Sequence, residues 1–328
     1  MDHAPPISVI MPLLNEEQHL GEAVEAILDQ RYPGELELVL AIGRGHDDTL
    51  GVARELARRD HRIIVVENPS GRTPDALNLA VGAANHEIIV RVDGHGFLSP
   101  GYIERAVTVL EETGAANVGG VMYAEGSSSF EKAVAIAMRS SLGVGGARFH
   151  TGGHAGPADT VYLGVFRRSW LTTVGGYDAR FSRAQDWELN YRLRQAGGTV
   201  WFDPELRVRY RPRPTFRRLA RQYRDYGRWR RVVAREHQGS INARYLAAPT
   251  ALVANVVGLV GGFVWAPLWI VPGTYATAIT VGGLVIGRRD GLAVAARVPA
   301  VLATMHGSWG WGFLTSRPGQ LLPETDEG

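Results

Sequence analysis

Asp93 and His95 offer a carboxylate and an imidazole two residues apart, at the end of the run HEIIVRVDGH. Ile88, Val90 and Val92 on one side, with Ile89 on the other, make a strand apolar on both faces, as a central parallel strand should be. In an open α/β sheet, ligands bind just beyond the carboxyl ends of the strands. The pair therefore stands where a divalent metal and a phosphate-bearing ligand could sit. The alternative is that Asp93 only caps the next turn and His95 is solvated, because such triplets are frequent. Downstream, Ser99 as N-cap and Pro100 at the first helical position predict a helix to about Glu112.

The elements that must hold this pair alternate along the chain. Ile7–Met11 reads as a first strand ending at Pro12, followed by a helix from about Glu16 to Gln30 with Leu20, Val24, Ile27 and Leu28 on one face. Pro33-Gly34 turns into a second strand, Leu36–Ile42. A helix from Asp48 or Thr49 to Arg59, a strand at Ile63–Val66 and a helix at Pro74–Ala84 lead into the Asp93 strand. This alternation predicts a parallel, doubly wound sheet. Further strands are expected at Val118–Met122 and Thr160–Phe166, with a helix near Phe130–Ser140 between them. Gly143–Ala158, rich in glycine and carrying His150 and His154, is expected to be a mobile substrate lid. Asp186–Ala196 predicts a helix closed by Gly197-Gly198. Val200–Phe202 and Leu206–Tyr210 predict short strands broken by Pro204.

The chain has 328 residues, of which 45% are hydrophobic and 21% charged, and contains no cysteine. Disulfides and thiolate metal sites are thereby excluded. Lys132 is the sole lysine, so the cations are otherwise arginines. MDHAPPISVIMP has no basic region followed by an apolar run, and no signal peptide is expected. Leu246–Gly287 contains no Asp, Glu, Lys, Arg or His. Because a bilayer span takes ~20 apolar residues, this length suits two spans turning near Pro272-Gly273; a buried helical hairpin is the alternative. Arginines crowd the entry (Arg217 to Arg235, and Arg244) and the exit (Arg288, Arg289), which places both ends in the cytoplasm. A third apolar segment, Gly291–Leu314, contains Arg297 and His306 and fits a short span, a re-entrant piece or an interfacial helix. Between Thr215 and Glu236 the Arg-rich stretch carries Phe216, Leu219, Tyr223, Tyr226 and Val233 near helical spacing. It reads as a membrane-surface helix. The apolar hairpin that follows favours lipid over nucleic acid as its partner.

Several stretches in order, VIMPLLNEEQHL, GRTPDALNLAV, VRVDGH, DTVYLGVFRR, VGGYD, QDWELNYRLRQAGG, RQYRDYGRW and HGSWGWGFL, together resemble family 2 inverting glycosyltransferases of the GT-A fold. The likeness is to the membrane-associated branch typified by succinoglycan and other exopolysaccharide glucosyltransferases, and it covers about residues 5–315. It implies a GT-A domain at 1–214, an amphipathic membrane-interface helix and linker at 215–245, and a C-terminal transmembrane region at 246–328. It also implies a multi-pass protein of the cell membrane with its catalytic domain in the cytoplasm. The substrates implied are a nucleotide-sugar donor and a lipid-linked (polyprenyl diphosphate) or glycan acceptor, with membrane lipid as a partner and no nucleic acid.

The same resemblance assigns roles. Asp93 holds a divalent metal (Mn2+ or Mg2+) and the diphosphate, with His95 as a second ligand. Pro12, Asn15, Glu16, Asp47, Arg72 and Asn78 contact the nucleotide sugar, and Asp186 is the catalytic base. Four of these have a simpler reading: Pro12 ends a strand, Asn15 caps a helix, Arg72 is a surface arginine, and Asp186 is an N-cap. Glu188 is expected to pair with Arg192 four residues on. The chain departs from the family at the end of its second strand, where Ala41-Ile42-Gly43-Arg44-Gly45-His46 replaces the aspartate pair that holds the base. UDP is the expected nucleotide and another is the alternative. Gln185 also replaces the usual glutamate. A non-catalytic membrane scaffold retaining the fold is the competing class; a nicotinamide-binding enzyme is disfavoured because no G-x-G-x-x-G follows the first strand.

Overall fold

The computed structural model describes residues 4–94 and 96–319. The chain divides into two compact units: residues up to Tyr123 with Gly152–Tyr210, and Ala124–Thr151 with residues from Arg211 onward.

The first unit begins with alternating strands and helices: β1 (Ile7–Leu13), α1 (Leu20–Leu28), β2 (Leu36–Gly43), α2 (Thr49–Arg59), β3 (Ile63–Asn68), α3 (Thr73–Ala83) and β4 (Ile88–Arg91). These four strands pair in parallel in the order β3-β2-β1-β4, with Ile7 opposite Leu36 on one side and Ile88 on the other. Both faces are covered, which is why the strands read as near-continuous apolar runs. Ile7, Val9, Met11 and Val90 pack with Val24 and Ile27, while Ile10, Val39 and Ile89 pack with Leu77 and Ala80.

Two expectations near Asp93 are corrected. A short strand, β5 (Phe97–Leu98), precedes Ser99, and the helix starts not at Ser99-Pro100 but after Gly101 at φ 73°, as α4 (Tyr102–Thr113). Ser99 is tied through its backbone, donating to the Arg207 carbonyl and accepting from Tyr102 N–H, and gives no side-chain cap. The first helix likewise begins at Leu20, not Glu16.

After β6 (Asn117–Ala124) the chain enters the second unit through α5 (Ser129–Met138), whose Ser128 and Glu131 form a reciprocal capping box. The stretch expected to be a lid carries the end of one short helix, α6 (Ser141–Val144), and a second, α7 (Arg148–Thr151), before β7 (Gly156–Pro157). His150 is buried, and that burial, with the charge of Arg244, lowers its pKa to about 3, so the imidazole is neutral. The first unit resumes with β7, β8 (Tyr162–Arg167), α8 (Arg168–Thr173), α9 (Gln185–Gln195) and β9 (Val200–Tyr210).

These later strands make the sheet mixed, not parallel throughout. β8 runs antiparallel to β4 and to β6, and β9 lies beside β6 with β5 and β7 antiparallel to it. β9 is also one strand, not two. Pro204 falls between the stretch paired with β7 and the stretch paired with β5, so its missing N–H breaks neither ladder.

The rest of the second unit is helical: α10 (Phe216–Glu236), α11 (Ala243–Gly261), α12 (Ile270–Gly287), α13 (Leu292–Ala295) and α14 (Val298–Thr315). The apolar face of α10 is only partly left open for lipid: Phe216 and Tyr226 of the expected stripe are exposed, and the rest is covered. Leu219, Tyr223, Trp229, Val232 and Val233 are buried, and the helix lies so close to α14 that Gly227 meets the Trp309 carbonyl and Gly312 meets the Arg224 carbonyl. Gly291–Leu314 thus supplies the packed centre of this unit, with Val301, Leu302, Met305 and Phe313 buried. The connection between α11 and α12 lies at residues 262–269; Pro272 and Gly273 belong to the first turn of α12, where a proline is tolerated. Both helices are long and apolar enough to cross a membrane, and only 11% of each apolar window is buried.

Candidate active site

Strand β4 carries one residue that its apolar pattern does not explain. Arg91 follows Ile88-Ile89-Val90 and is 3% exposed. A buried guanidinium needs charged partners, and it has two. Its Nε and Nη2 donate to Asp93 Oδ1 at 3.0 and 2.9 Å, and its Nη1 donates to Asp186 Oδ1. Burial by itself would lower the pKa of Arg91, but the Asp93 carboxylate and Tyr177 outweigh it and the net shift is upward, so the group stays charged. Asp93 and Asp186 are therefore brought together on one cation.

Asp186 is not the N-cap of its helix. Ala184 holds that place, at φ 62° and with no capping side chain, and Asp186 is the second residue of α9. There its charge is favoured by the helix dipole. Its side chain is 38% exposed and that of Asp93 21%, so both remain open to a ligand while Arg91 beneath them is not.

The support for this arrangement comes from the motifs around it. Tyr177, buried, lies with its ring centroid 5.8 Å from Arg91 Cζ. Asn78 holds the backbone of Tyr177 at both groups: its Nδ2 donates to the Tyr177 carbonyl at 2.7 Å and its Oδ1 accepts from Tyr177 N–H at 2.8 Å. Glu188 and Arg192 pair through two bonds of 2.6 and 2.7 Å, and Arg192 also donates to the Gly176 carbonyl at 2.8 Å. Asn117 and Thr160 fix α9 to the sheet through Asn190, at 2.6 and 2.9 Å.

Beside Asp93, the ends of β1 and β2 are stitched together. Asn15 has φ 57° and is not a helix cap; its Oδ1 accepts from His46 N–H at 2.7 Å. Glu16 N–H donates to Thr49 Oγ1 at 2.9 Å and Glu17 N–H to Asp47 Oδ2 at 3.0 Å. The Thr49 hydroxyl, donating to Asp47 at 2.6 Å, is the main reason that carboxyl is held below its ordinary range. Gly94 backs onto Leu13 and Glu16, where an added Cβ would come within 2.7 and 3.2 Å. Pro12 is the penultimate residue of β1 at the same strand end, opposite Ala41. Arg72 precedes α3 and is bonded to Asp75 at 2.8 Å. Pro12, Asn15, Glu16, Asp47 and Asp93 thus gather at the carboxyl edge of the sheet, whereas both ends of the Asn78 amide are committed to Tyr177. His95 lies outside the described residues.

Among the described residues, no cluster of three or more His, Asp or Glu side chains gathers to hold a metal. Asp93 still fits a hard divalent cation that takes most of its oxygens from a diphosphate and water. Both Arg91 bonds use Oδ1, and Oδ2 is the oxygen such a cation would take.

The Glycosyl transferase family 2 profile matches residues 8–175, half of the chain, and includes Asp93. The chain is also 33% identical over 311 residues to the succinoglycan biosynthesis protein ExoA of Rhizobium meliloti (strain 1021), covering 93% of each. The chain belongs to glycosyl transferase family 2. Family 2 membership makes it a glycosyltransferase, and the sheet of its first unit is the GT-A nucleotide-sugar domain. The fold is shared with the mannosyltransferase PcManGT of Pyrobaculum calidifontis in complex with GDP-Man and Mn2+, at TM-score 0.61 and 19% identity over 95% of this chain and 89% of that one. It is shared too with S. aureus TarS 1-349 in complex with UDP-GlcNAc, at TM-score 0.53 and 15% identity over 94% and 90%. Arg91 and Tyr177 were not singled out from the sequence. The available signal was a charge inside an otherwise apolar central strand.

Proposed function

We propose that this family 2 enzyme is an inverting transferase that moves a sugar from a nucleoside diphosphate donor, UDP in the first instance, to a glycan or lipid-linked acceptor in exopolysaccharide synthesis. The observation that carries it is the meeting of Asp93 and Asp186 on one buried guanidinium at the carboxyl edge of the sheet. The similarity to a succinoglycan biosynthesis protein supports the polysaccharide setting, and the neighbours bound to GDP-Man and UDP-GlcNAc support the donor class.

Asp186 removes the proton of the acceptor hydroxyl as that oxygen attacks the anomeric carbon. The bond from that carbon to the diphosphate oxygen breaks, and the nucleoside diphosphate leaves with the electron pair. Attack comes from the face opposite the leaving group, so the configuration inverts. A divalent ion, Mn2+ or Mg2+, held by Asp93 with His95 as a second candidate, would act as a Lewis acid on the charge that develops on the diphosphate. Pro12, Asn15, Glu16 and Arg72 face the nucleoside. Asp47 and Asn78 serve by fixing loops, since their hydrogen-bonding groups are already engaged.

α11 and α12 are assigned as two membrane spans with both outer ends in the cytoplasm. At 1.5 Å per residue each is about 28 Å long, enough for the hydrocarbon core. Arg288 and Arg289 close the hairpin on the side where basic residues are retained.

The test is to supply the detergent-solubilised protein with UDP-glucose, UDP-GlcNAc or GDP-mannose and Mn2+ or Mg2+. Nucleoside diphosphate release with at least one donor is expected, with loss in chelator. With a glycan or lipid-linked acceptor added, an α-linked donor should give a β-linked product by NMR; a retained configuration would overturn the mechanism.

A further inference from the structure

We propose that Arg91 is a positioning residue of the transfer reaction, its guanidinium setting the separation and orientation of Asp93 and Asp186. The inference rests on the reading of those two carboxylates given above.

The geometry carries it. A guanidinium is a planar fork whose donors stand at fixed angles. Nε and Nη2 form one edge, and both go to Asp93 Oδ1; Nη1 belongs to the next edge, and it goes to Asp186 Oδ1. One rigid group therefore spaces two side chains from different elements, the end of β4 and the first turn of α9. Arg91 cannot swing away to satisfy only one of them. It is 3% exposed, Tyr177 lies against it at 5.8 Å, and Tyr177 is itself held by two bonds from Asn78. Each carboxylate gives one oxygen to Arg91, which assigns the other to the ligand: Oδ2 of Asp93 to the cation and diphosphate, Oδ2 of Asp186 to the acceptor proton.

A lysine would keep the charge but not the fork, so Arg91→Lys is the first variant. Arg91→Gln, which keeps amide donors without charge, is the second. Two quantities are measured in full-length protein: the affinity for UDP with Mn2+, and the kcat for Mn2+-dependent hydrolysis of UDP-glucose, UDP-GlcNAc or GDP-mannose. Arg91→Lys should weaken Mn2+–UDP binding about tenfold, because Asp93 loses its orientation. Its kcat should fall by ~10²-fold, and Asp186→Asn should fall at least as far. The double variant should be no slower than Asp186→Asn alone, because residues acting as one unit are non-additive. Wild-type affinity in Arg91→Lys, or kcat losses that multiply in the double variant, would overturn the inference. So would failure of both Arg91 variants to fold, which would leave Arg91 a structural residue. By contrast, an Asp186→Asn protein that turns over at the wild-type rate removes the base assignment itself.

Discussion

Arg91 and a divalent cation would share Asp93, one on each carboxylate oxygen, and that sharing sets what substitutions there should do. Asp93→Ala removes the cation's carboxylate and leaves a buried guanidinium with Asp186 as its remaining acid partner. It should lose Mn2+–UDP binding and turnover together. His95→Ala should keep weakened activity, because a hard cation gains more from a carboxylate than from a neutral imidazole. Titration of Mn2+–UDP into both variants checks this; native affinity in Asp93→Ala would sink the metal role. Asn78 reaches the site through Tyr177, so Asn78→Ala should lower turnover by roughly tenfold while nucleotide binding changes little, an effect of misplacement and not of lost contact. Equal losses in both would make Asn78 a nucleotide ligand after all.

At the scale of elements, the helix pair α10 and α14 is held by close approach. Gly227 faces the Trp309 carbonyl and Gly312 the Arg224 carbonyl, so a methyl at either must push the helices apart. Gly227→Ala or Gly312→Ala should each destabilise the protein by about 1–3 kcal/mol, the usual cost of overpacking. Thermal unfolding in detergent measures it, and an unchanged midpoint in both would contradict the packing. This contact also shows where the sequence was legible and where it was not. The strands and helices of the first unit were readable because each keeps a simple period: β1, β2 and β4 are apolar on both faces and α9 closes at a glycine pair. The Glu188–Arg192 pair was readable because it is local. What escaped depends on partners distant in sequence. β5 has only two residues, and its partner is β9, more than a hundred residues away. The stripe of α10 fitted lipid as well as protein; α14 covers Leu219, Tyr223 and Val233, while Phe216 and Tyr226 stay exposed. Ala124–Thr151 looked like a continuation of the sheet domain but packs with the C-terminal helices. Asp93 was legible at a strand end; that Asp186 meets it through Arg91 was not.

The molecule as a whole combines a nucleotide-sugar domain with a helical unit whose longest apolar helices are largely uncovered. Exposed Val256, Val257, Val260, Phe263, Val264 and Ile270 would be costly in water and are suited to lipid. Two spans return the chain to the side it left, so reporter fusions after Arg235 and after Arg289 should report the same, cytoplasmic, side. Opposite sides would mean an odd number of crossings, and a protein recovered soluble without detergent would exclude crossing altogether.

Donor binding and transfer measured side by side in Asp186→Asn test the central claim, that two carboxylates divide the work of one inverting transfer. The substitution keeps the shape of the side chain and removes the basic lone pair. Mn2+–UDP affinity should stay within about twofold of wild type, while transfer should fall by ~10²–10⁴-fold, the worth of a positioned general base. Near-native transfer with intact binding would leave Asp186 as no more than a charged residue in the first turn of its helix.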